Sequence, residues 1–310
     1  MKRSVLSTLR CPACNERLSL DAGQECEGDV FEGHLQCPCG RHYPIQDGVP
    51  DLIYPEQLLP SDEEFRQKYD KGAEQYDIGL DWLFRSFYED EDAIRVPMIE
   101  LLEIQPGARV LEVGCGSGKD SQHIVASLKQ QGQLYVQDIS SRMVRLAKDR
   151  LAGSKLRVEY FLSNAAYLPF ADAHFDAVFH FGGINTFGEI EKALMEMTRV
   201  VRLGGKVVVG DEGIAPWLRR KEFGRILMNA NPLYKHRPPL DCLPQNARNV
   251  RLRWILGNAF YLIDYRVGDG PPKVDWDLPI PGKGDSLRSR YETRAKTASS
   301  HSSCPLIRNL

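Results

Sequence analysis

LEVGCGSG, residues 111–118, decides how this 310-residue chain is read. The apolar run ARVLEVG, 108–114, predicts a short buried strand, and KDSQHIVASLKQQ, 119–131, has the mixed apolar and polar spacing of a helix. Between them Gly114, Gly116 and Gly118 allow a tight turn with no Cβ in the way, so a ligand can approach the backbone. The amides that open the following helix point into the same space. Dinucleotide-binding folds place G-x-G-x-x-G at such a turn. Here the spacing is G-x-G-x-G, with Glu112 two residues ahead of the first glycine.

Downstream the pattern is regular. QLYVQ (133–137), LRVEYF (156–161), DAVFHF (176–181) and KVVVG (206–210) predict strands. SRMVRLAKDRL (141–151) and EIEKALMEMTRVV (189–201) predict the helices between them. Strands alternating with helices imply a parallel sheet covered on both faces. VRLRWI and AFYLIDYRV then flank Gly257-Asn258, a pair suited to a two-residue hairpin turn. The expected fold is α/β, a parallel sheet closed by a C-terminal antiparallel hairpin, behind a small N-terminal module.

Five stretches in order resemble the class I S-adenosylmethionine-dependent methyltransferases, in the branch of the ubiquinone and menaquinone biosynthesis enzymes: YDKGAEQYD (69–77), VLEVGCGSG (110–118), VQDISSRMVRLAKDRL (136–151), NAAYLPFADAHFDAVF (164–179) and EMTRVVRLGGKVVV (196–209). The resemblance implies a Rossmann-like sheet, S-adenosylmethionine as cofactor, and roles for individual residues. Glu112 would serve the methionine end, and Gly114, Cys115 and Gly116 would form the turn against the cofactor. Asp138 would receive both ribose hydroxyls, since a carboxylate offers two acceptor oxygens. Ile139 would pack on the adenine face, with Asn164 and Ala165 at its edge. Asn164 stands where the family usually has Asp and loses the charge assistance. Asp138 reads alternatively as a carboxylate capping the next helix. Tyr76, and less directly Tyr69, would close over the cofactor; without the resemblance they read as one packed face of a helix.

The first forty residues hold five of the eight cysteines. Cys11-x-x-Cys14 and Cys37-x-Cys39 are two pairs of thiolates, suited to structural zinc. CPACNERLSL (11–20) and LQCPCGRHYPIQDGVPDLI (35–53) resemble the zinc-ribbon family of the small activator subunit of tRNA methyltransferases. That family's second pair is usually C-x-x-C, so Cys26 and His34 stand as alternatives for the fourth ligand. The expected division is a ribbon over 1–55, an acidic linker and lid helices over 56–95, a methyltransferase domain over 96–292 with a variable acceptor-side region from 213, and a disordered tail over 293–310. Removal of zinc is expected to unfold residues 1–50 and spare the rest.

Methyl transfer needs an acceptor lone pair held in line with the methyl group, and sometimes a base. HFGGINTF, 180–187, follows the fourth strand of the sheet, which makes His180 the candidate base and Asn185 a polar contact. Asp211 and Glu212, past the fifth strand, are candidates for holding a cationic or hydroxyl acceptor. Asn231-Pro232-Leu233-Tyr234 resembles the N-P-P-Y signature of amino-group methyltransferases but follows the wrong strand. Cys115, inside the turn, is no covalent nucleophile.

Apolar residues make up 42% and charged residues 26% of the chain, as in an ordinary globular protein. No apolar run reaches the ~18–20 residues of a membrane span, and MKRSVLSTLRCPAC lacks the apolar core of a signal peptide. The expected location is cytoplasmic. Net charge is -3 over 1–55, -7 over 56–95, -1 over 96–212 and +9 over 213–310. A small-molecule acceptor is the leading reading. RNA methylation is the second, because certain ribosomal guanine methyltransferases carry a zinc module before this type of core and the rear here is basic. The acidic front argues against it. A non-catalytic scaffold that docks other methyltransferases is the third.

Overall fold

The computed structural model describes residues 1–301, with side chains through Arg294. Backbone contacts divide the chain into two units, Met1–Asp269 and Gly270–Leu310. The first opens with an antiparallel meander, β1 (Ser19–Cys26), β2 (Asp29–Gln36), β3 (His42–Gln46) and β4 (Val49–Pro50). Helix α1 (Pro60–Ser86) and helix α2 (Glu91–Glu100) follow. Then come β5 (Arg109–Val113), α3 (Lys119–Leu128), β6 (Gln133–Asp138), α4 (Ser141–Leu151) and β7 (Val158–Leu162). β8 (Phe175–Phe181), α5 (Ile190–Arg199), β9 (Val201–Glu212), α6 (Glu222–Ala230), β10 (Ala247–Ile255) and β11 (Phe260–Val267) complete the unit.

The seven strands β5–β11 form one sheet in the order β10-β11-β9-β8-β5-β6-β7. β5, β6, β7, β8 and β9 run parallel, and β11 is antiparallel to both β9 and β10. This is the Rossmann-like arrangement with a closing hairpin. Four of the five β5 residues are buried, which is why its sequence is an apolar run rather than an alternation. The hairpin turns on Gly257 (φ +60°) and Asn258 (φ +63°), both left-handed as a two-residue turn of this kind requires.

The segment expected to hold separate helices forms one 27-residue helix, α1, with Pro60 in its first turn. Gly72 and Gly79 lie inside it and do not break it; glycine costs a helix only ~1 kcal/mol each, which the packing of Leu83, Phe84 and Phe87 against the neighbouring apolar cluster offsets.

The N-terminal meander is joined to the sheet along the edge of β7. Asp51 pairs with Leu162, Leu52 N–H donates to Leu162 O at 2.8 Å, and Leu9 pairs with Phe170. A strand edge that would otherwise present free backbone groups is thereby covered. Side chains continue the join: Val5, Leu9, Val30, Leu35, Ile45 and Leu52 belong to the same buried cluster as Tyr135, Phe161, Phe170 and Phe175. The expectation of a ribbon that folds apart from the core meets a shared interior.

In the second unit Arg288 pairs with Asp277 and Arg290 with Asp285. Helix α7 (Leu287–His301) runs through the first part of the expected disordered tail. Its RYETRAKTA sequence supplies Arg, Glu, Ala and Lys, which are good helix formers. The rest of that tail, 302–310, lies outside the described residues. Among the described residues no helix is long and apolar enough to cross a membrane.

Candidate active site

The glycine turn and the end of β6 build one wall of a cleft of about 650 Å³. Gly114, Gly116, Asp138, Ile139, Asn164, Ala165, Tyr69, Tyr76 and His180 all line it. Asp138 is held from two sides: its carboxylate accepts from Gly116 N–H and from Ser140 N–H, each at 2.9 Å. Burial pushes its pKa up to about 6 although those two amides favour the charged form. The cap that Asp138 could have provided to α4 is supplied by Ser140, whose hydroxyl accepts from Met143 N–H. Asn164 caps the short turn after β7 through Ala166 N–H at 3.0 Å.

The roof is α1. Tyr69 and Tyr76 meet edge to face with ring centroids 6.0 Å apart, and a Cβ on Gly116 would lie 3.4 Å from the Tyr76 ring. Three aspartates on the helix reach the loops beneath it. Asp62 accepts from Gly188 N–H at 2.8 Å, Asp70 from the Ser140 hydroxyl at 2.6 Å, and Asp77 from the Ser117 hydroxyl at 2.5 Å while pairing with Arg150. Sequence reading picked out the two tyrosines and missed these aspartates. The signal was present in their spacing of eight and seven residues, close to whole helical turns.

A second cleft of about 800 Å³ adjoins the first and shares Tyr69, Tyr76, Gly114, Gly182, Gly183 and Thr186 with it. Leu80, Leu83, Phe84, Phe181, Leu233, Leu256 and Phe260 make most of its wall apolar. Its polar side holds Arg95, Lys119, Asp120 and Glu212. Arg95 is bound to Asp120 at 2.7 Å and Glu91 at 2.8 Å, so its charge is matched. Leu233, set aside at the sequence level with its Asn-Pro-Leu-Tyr context, lines this cleft.

Other expected residues fall elsewhere. Glu112 lines neither cleft; it is buried behind the turn and accepts from the Ser121 hydroxyl. Burial, with Asp120 nearby, raises its pKa well above the usual carboxylate range. Cys115 lines the second cleft rather than the first, and burial raises its thiol pKa. Asp211 is fully buried and spends its carboxylate on the N–H groups of Gly183, at 3.1 Å, and Asn185, at 2.7 Å. The Asn185 amide is tied to Glu212 O at 2.7 Å and to the Tyr261 hydroxyl at 3.0 Å. Both shape the loop after β8 and line neither cleft, so of Asp211 and Glu212 only Glu212 reaches the second cleft, where Asp120 is the other carboxylate.

Outside the lining of both clefts, the Sγ atoms of Cys11, Cys14, Cys37 and Cys39 all lie within 4.8 Å of one another. Four sulfurs placed tetrahedrally at about 2.3 Å from zinc would be about 3.8 Å apart, so the set fits that ion. Burial would raise the Cys11 pKa, but hydrogen bonds from Tyr43 and from the backbone at Ala13 and Cys14 outweigh it and bring the thiol down to about 7. Cys26 and His34 are exposed and outside this group.

Comparison with known proteins agrees with this geometry. Residues 110–205 match the family described as a methyltransferase domain, and residues 2–48 match the Trm112p-like proteins. A segment similar to methyltransferase domains thus follows a Trm112p-like segment in this chain. The chain is 34% identical over 116 residues to a demethylmenaquinone methyltransferase of Desulfitobacterium hafniense, covering 37% of this chain and 46% of that protein. It is 30% identical over 170 residues to the ubiquinone/menaquinone biosynthesis C-methyltransferase UbiE of Ectopseudomonas mendocina, covering 54% of this chain and 62% of that one. The match thus spans less than two thirds of either relative. In fold the chain resembles phosphoethanolamine N-methyltransferase 2 of Haemonchus contortus, solved with S-adenosyl-L-methionine, with a TM-score of 0.52 at 14% identity over 71% of this chain and 62% of that chain.

Proposed function

We propose that this protein transfers a methyl group from S-adenosylmethionine, held in the first cleft, to a small and largely apolar acceptor held in the second. The observation that carries the reading is the common wall: Tyr76, Gly114, Gly182 and Gly183 border both clefts, so ligands in the two meet there. Bound, the cofactor would supply an electrophilic methyl group on a sulfonium. Asp138 would accept the ribose hydroxyls, Ile139 and Ala165 would contact the adenine, and the tyrosines of α1 would keep water out. In the second cleft the leucines and phenylalanines would seat an apolar ring, with Glu212 beside it to accept a proton or hold a hydroxyl. The apolar lining and the quinone in the relatives' names together favour a quinone-type ring as the acceptor. Zinc on the four thiolates would be structural, since a closed four-ligand set leaves no position for chemistry.

The test is calorimetric titration with S-adenosylhomocysteine, followed by transfer of labelled methyl groups to demethylmenaquinol in detergent. No binding of S-adenosylhomocysteine would end the reading. The +9 charge of 213–310 makes RNA the rival acceptor; RNA binding that falls steeply with salt, with labelled RNA as product, would replace the small molecule.

Asp138 also sets a pH dependence. The folded protein keeps this proton to about pH 6, whereas an unfolded aspartate loses it near 4. Its contribution to stability is therefore present below about pH 4 and is lost as pH rises through 6. Ribose hydroxyls favour the charged carboxylate, so cofactor binding expels the proton. Affinity for S-adenosylhomocysteine is expected to rise about tenfold from pH 5 to pH 7, and a flat profile would remove Asp138 from the ribose.

A further inference from the structure

His180 is 1% exposed, and its two ring nitrogens are treated very differently. Nδ1 lies 2.7 Å from Val113 O. A carbonyl can only accept, so Nδ1 carries the proton and donates it. Nε2 is then left with a lone pair. It is buried and, among the described residues, has no hydrogen-bond partner. A buried nitrogen without a partner costs free energy that a ligand would recover.

The surroundings say which ligand group would recover it. The ring stands at the glycine end of the first cleft: a Cβ on Gly114 would lie 3.3 Å from it, and one on Gly183 would lie 3.7 Å from it. It lines the first cleft and not the second, so it belongs with the residues proposed for the cofactor rather than with the acceptor. Asp138, Ile139, Asn164 and Ala165 account for the ribose and adenine, leaving the amino-acid tail for the glycine end. The donor in that tail is its ammonium group. Burial holds the imidazole pKa down to about 4 against the favourable Val113 contact, so the ring is neutral at physiological pH and does not repel a cation.

We propose that His180 Nε2 accepts a hydrogen bond from the α-ammonium of the cofactor's amino-acid tail, and so binds the cofactor instead of serving as the base that deprotonates the acceptor. The inference rests on the cofactor reading above and adds to it a contact between a named atom and a named group.

The experiment compares two probes that differ only in that tail, S-adenosylhomocysteine and 5′-methylthioadenosine, by calorimetric titration at pH 7. His180→Leu keeps apolar bulk and removes the acceptor; His180→Gln can retain one. His180→Leu is expected to weaken S-adenosylhomocysteine roughly tenfold to hundredfold, the range for a hydrogen bond to a charged group, and to leave methylthioadenosine within about threefold. His180→Gln should recover part of the loss. Unchanged S-adenosylhomocysteine affinity in a folded His180→Leu protein would overturn the proposal, as would equal weakening of both probes, which would mean the ring only shapes the cleft. If His180→Leu does not fold, ring-¹⁵N-labelled wild type decides: the Nε2 resonance should shift on adding S-adenosylhomocysteine and stay in place with methylthioadenosine. The same response to both probes overturns the contact. Wild type that binds neither probe would instead remove the cofactor reading itself.

Discussion

Replacing Cys11 and Cys14 together by serine is expected to lower the melting temperature of the whole unit Met1–Asp269 by about 10–20 °C, in one transition. Four-thiolate zinc sites supply ~10–16 kcal/mol in isolated fingers, so a loss of about 5 kcal/mol is conservative. At ~2–4 °C per kcal/mol for a unit of this size, the shift follows. A single transition is expected because Leu9, Leu35, Ile45 and Leu52 share a buried cluster with Phe161, Phe170 and Phe175. If the ribbon unravels, those rings lose their cover and β7 loses the strand pairing at Leu162. Binding of S-adenosylhomocysteine should weaken with it, since Asn164 and Ala165 directly follow β7. Calorimetry of wild type and variant, with zinc assayed by atomic absorption, makes the comparison. Two separate transitions, the upper one at the wild-type temperature, would show that the ribbon folds by itself. A full equivalent of zinc in the variant would show that other ligands hold it.

Asp138→Ala should weaken S-adenosylhomocysteine by about 2–3 kcal/mol, roughly 30- to 150-fold. Two effects add. The ribose loses charge-assisted acceptors, and the Gly116 and Ser140 amides lose the oxygens that now position the turn. Asp138→Asn keeps an acceptor for only one of the two amides and removes the charge, so its affinity is expected to fall between wild type and Asp138→Ala. Calorimetric titration of all three proteins gives the numbers. Unchanged affinity in Asp138→Ala would place the ribose elsewhere.

Most of the sheet and much of the lining of the first cleft were legible because their signals are local. VLEV and VVVG are apolar runs that only a buried strand explains, Ser141–Leu151 carries its own N-cap, and Gly257-Asn258 dictates its turn. The cysteines that gather were the ones paired in sequence, even with a single residue between Cys37 and Cys39. What escaped depends on distant packing. That Asp211 is spent on the loop after β8, that Leu233 lines a cleft, and that the ribbon's interior runs into the aromatic cluster of the sheet involve partners tens to more than a hundred residues away. No periodicity records such neighbours. The continuity of α1 escaped for a different reason: its glycines argue locally for a break, and the cluster that overrides them comes from the far end of the chain.

The roof helix has a consequence for the order of events in a catalytic cycle. Tyr69 and Tyr76 belong to both clefts, while Leu80, Leu83 and Phe84 belong to the second, and all five are on α1. Asp62, Asp70 and Asp77 fasten this one rigid rod to three loops. Lifting it to admit the nucleotide would also take away the wall on which the acceptor rests. On the proposed reading the two ligands would not arrive independently: the nucleotide would enter first, the rod would settle, and only the settled rod would complete a seat for the second molecule. Steady-state kinetics should therefore follow a compulsory sequence, with the spent nucleotide the last to leave and a competitor of the incoming one alone.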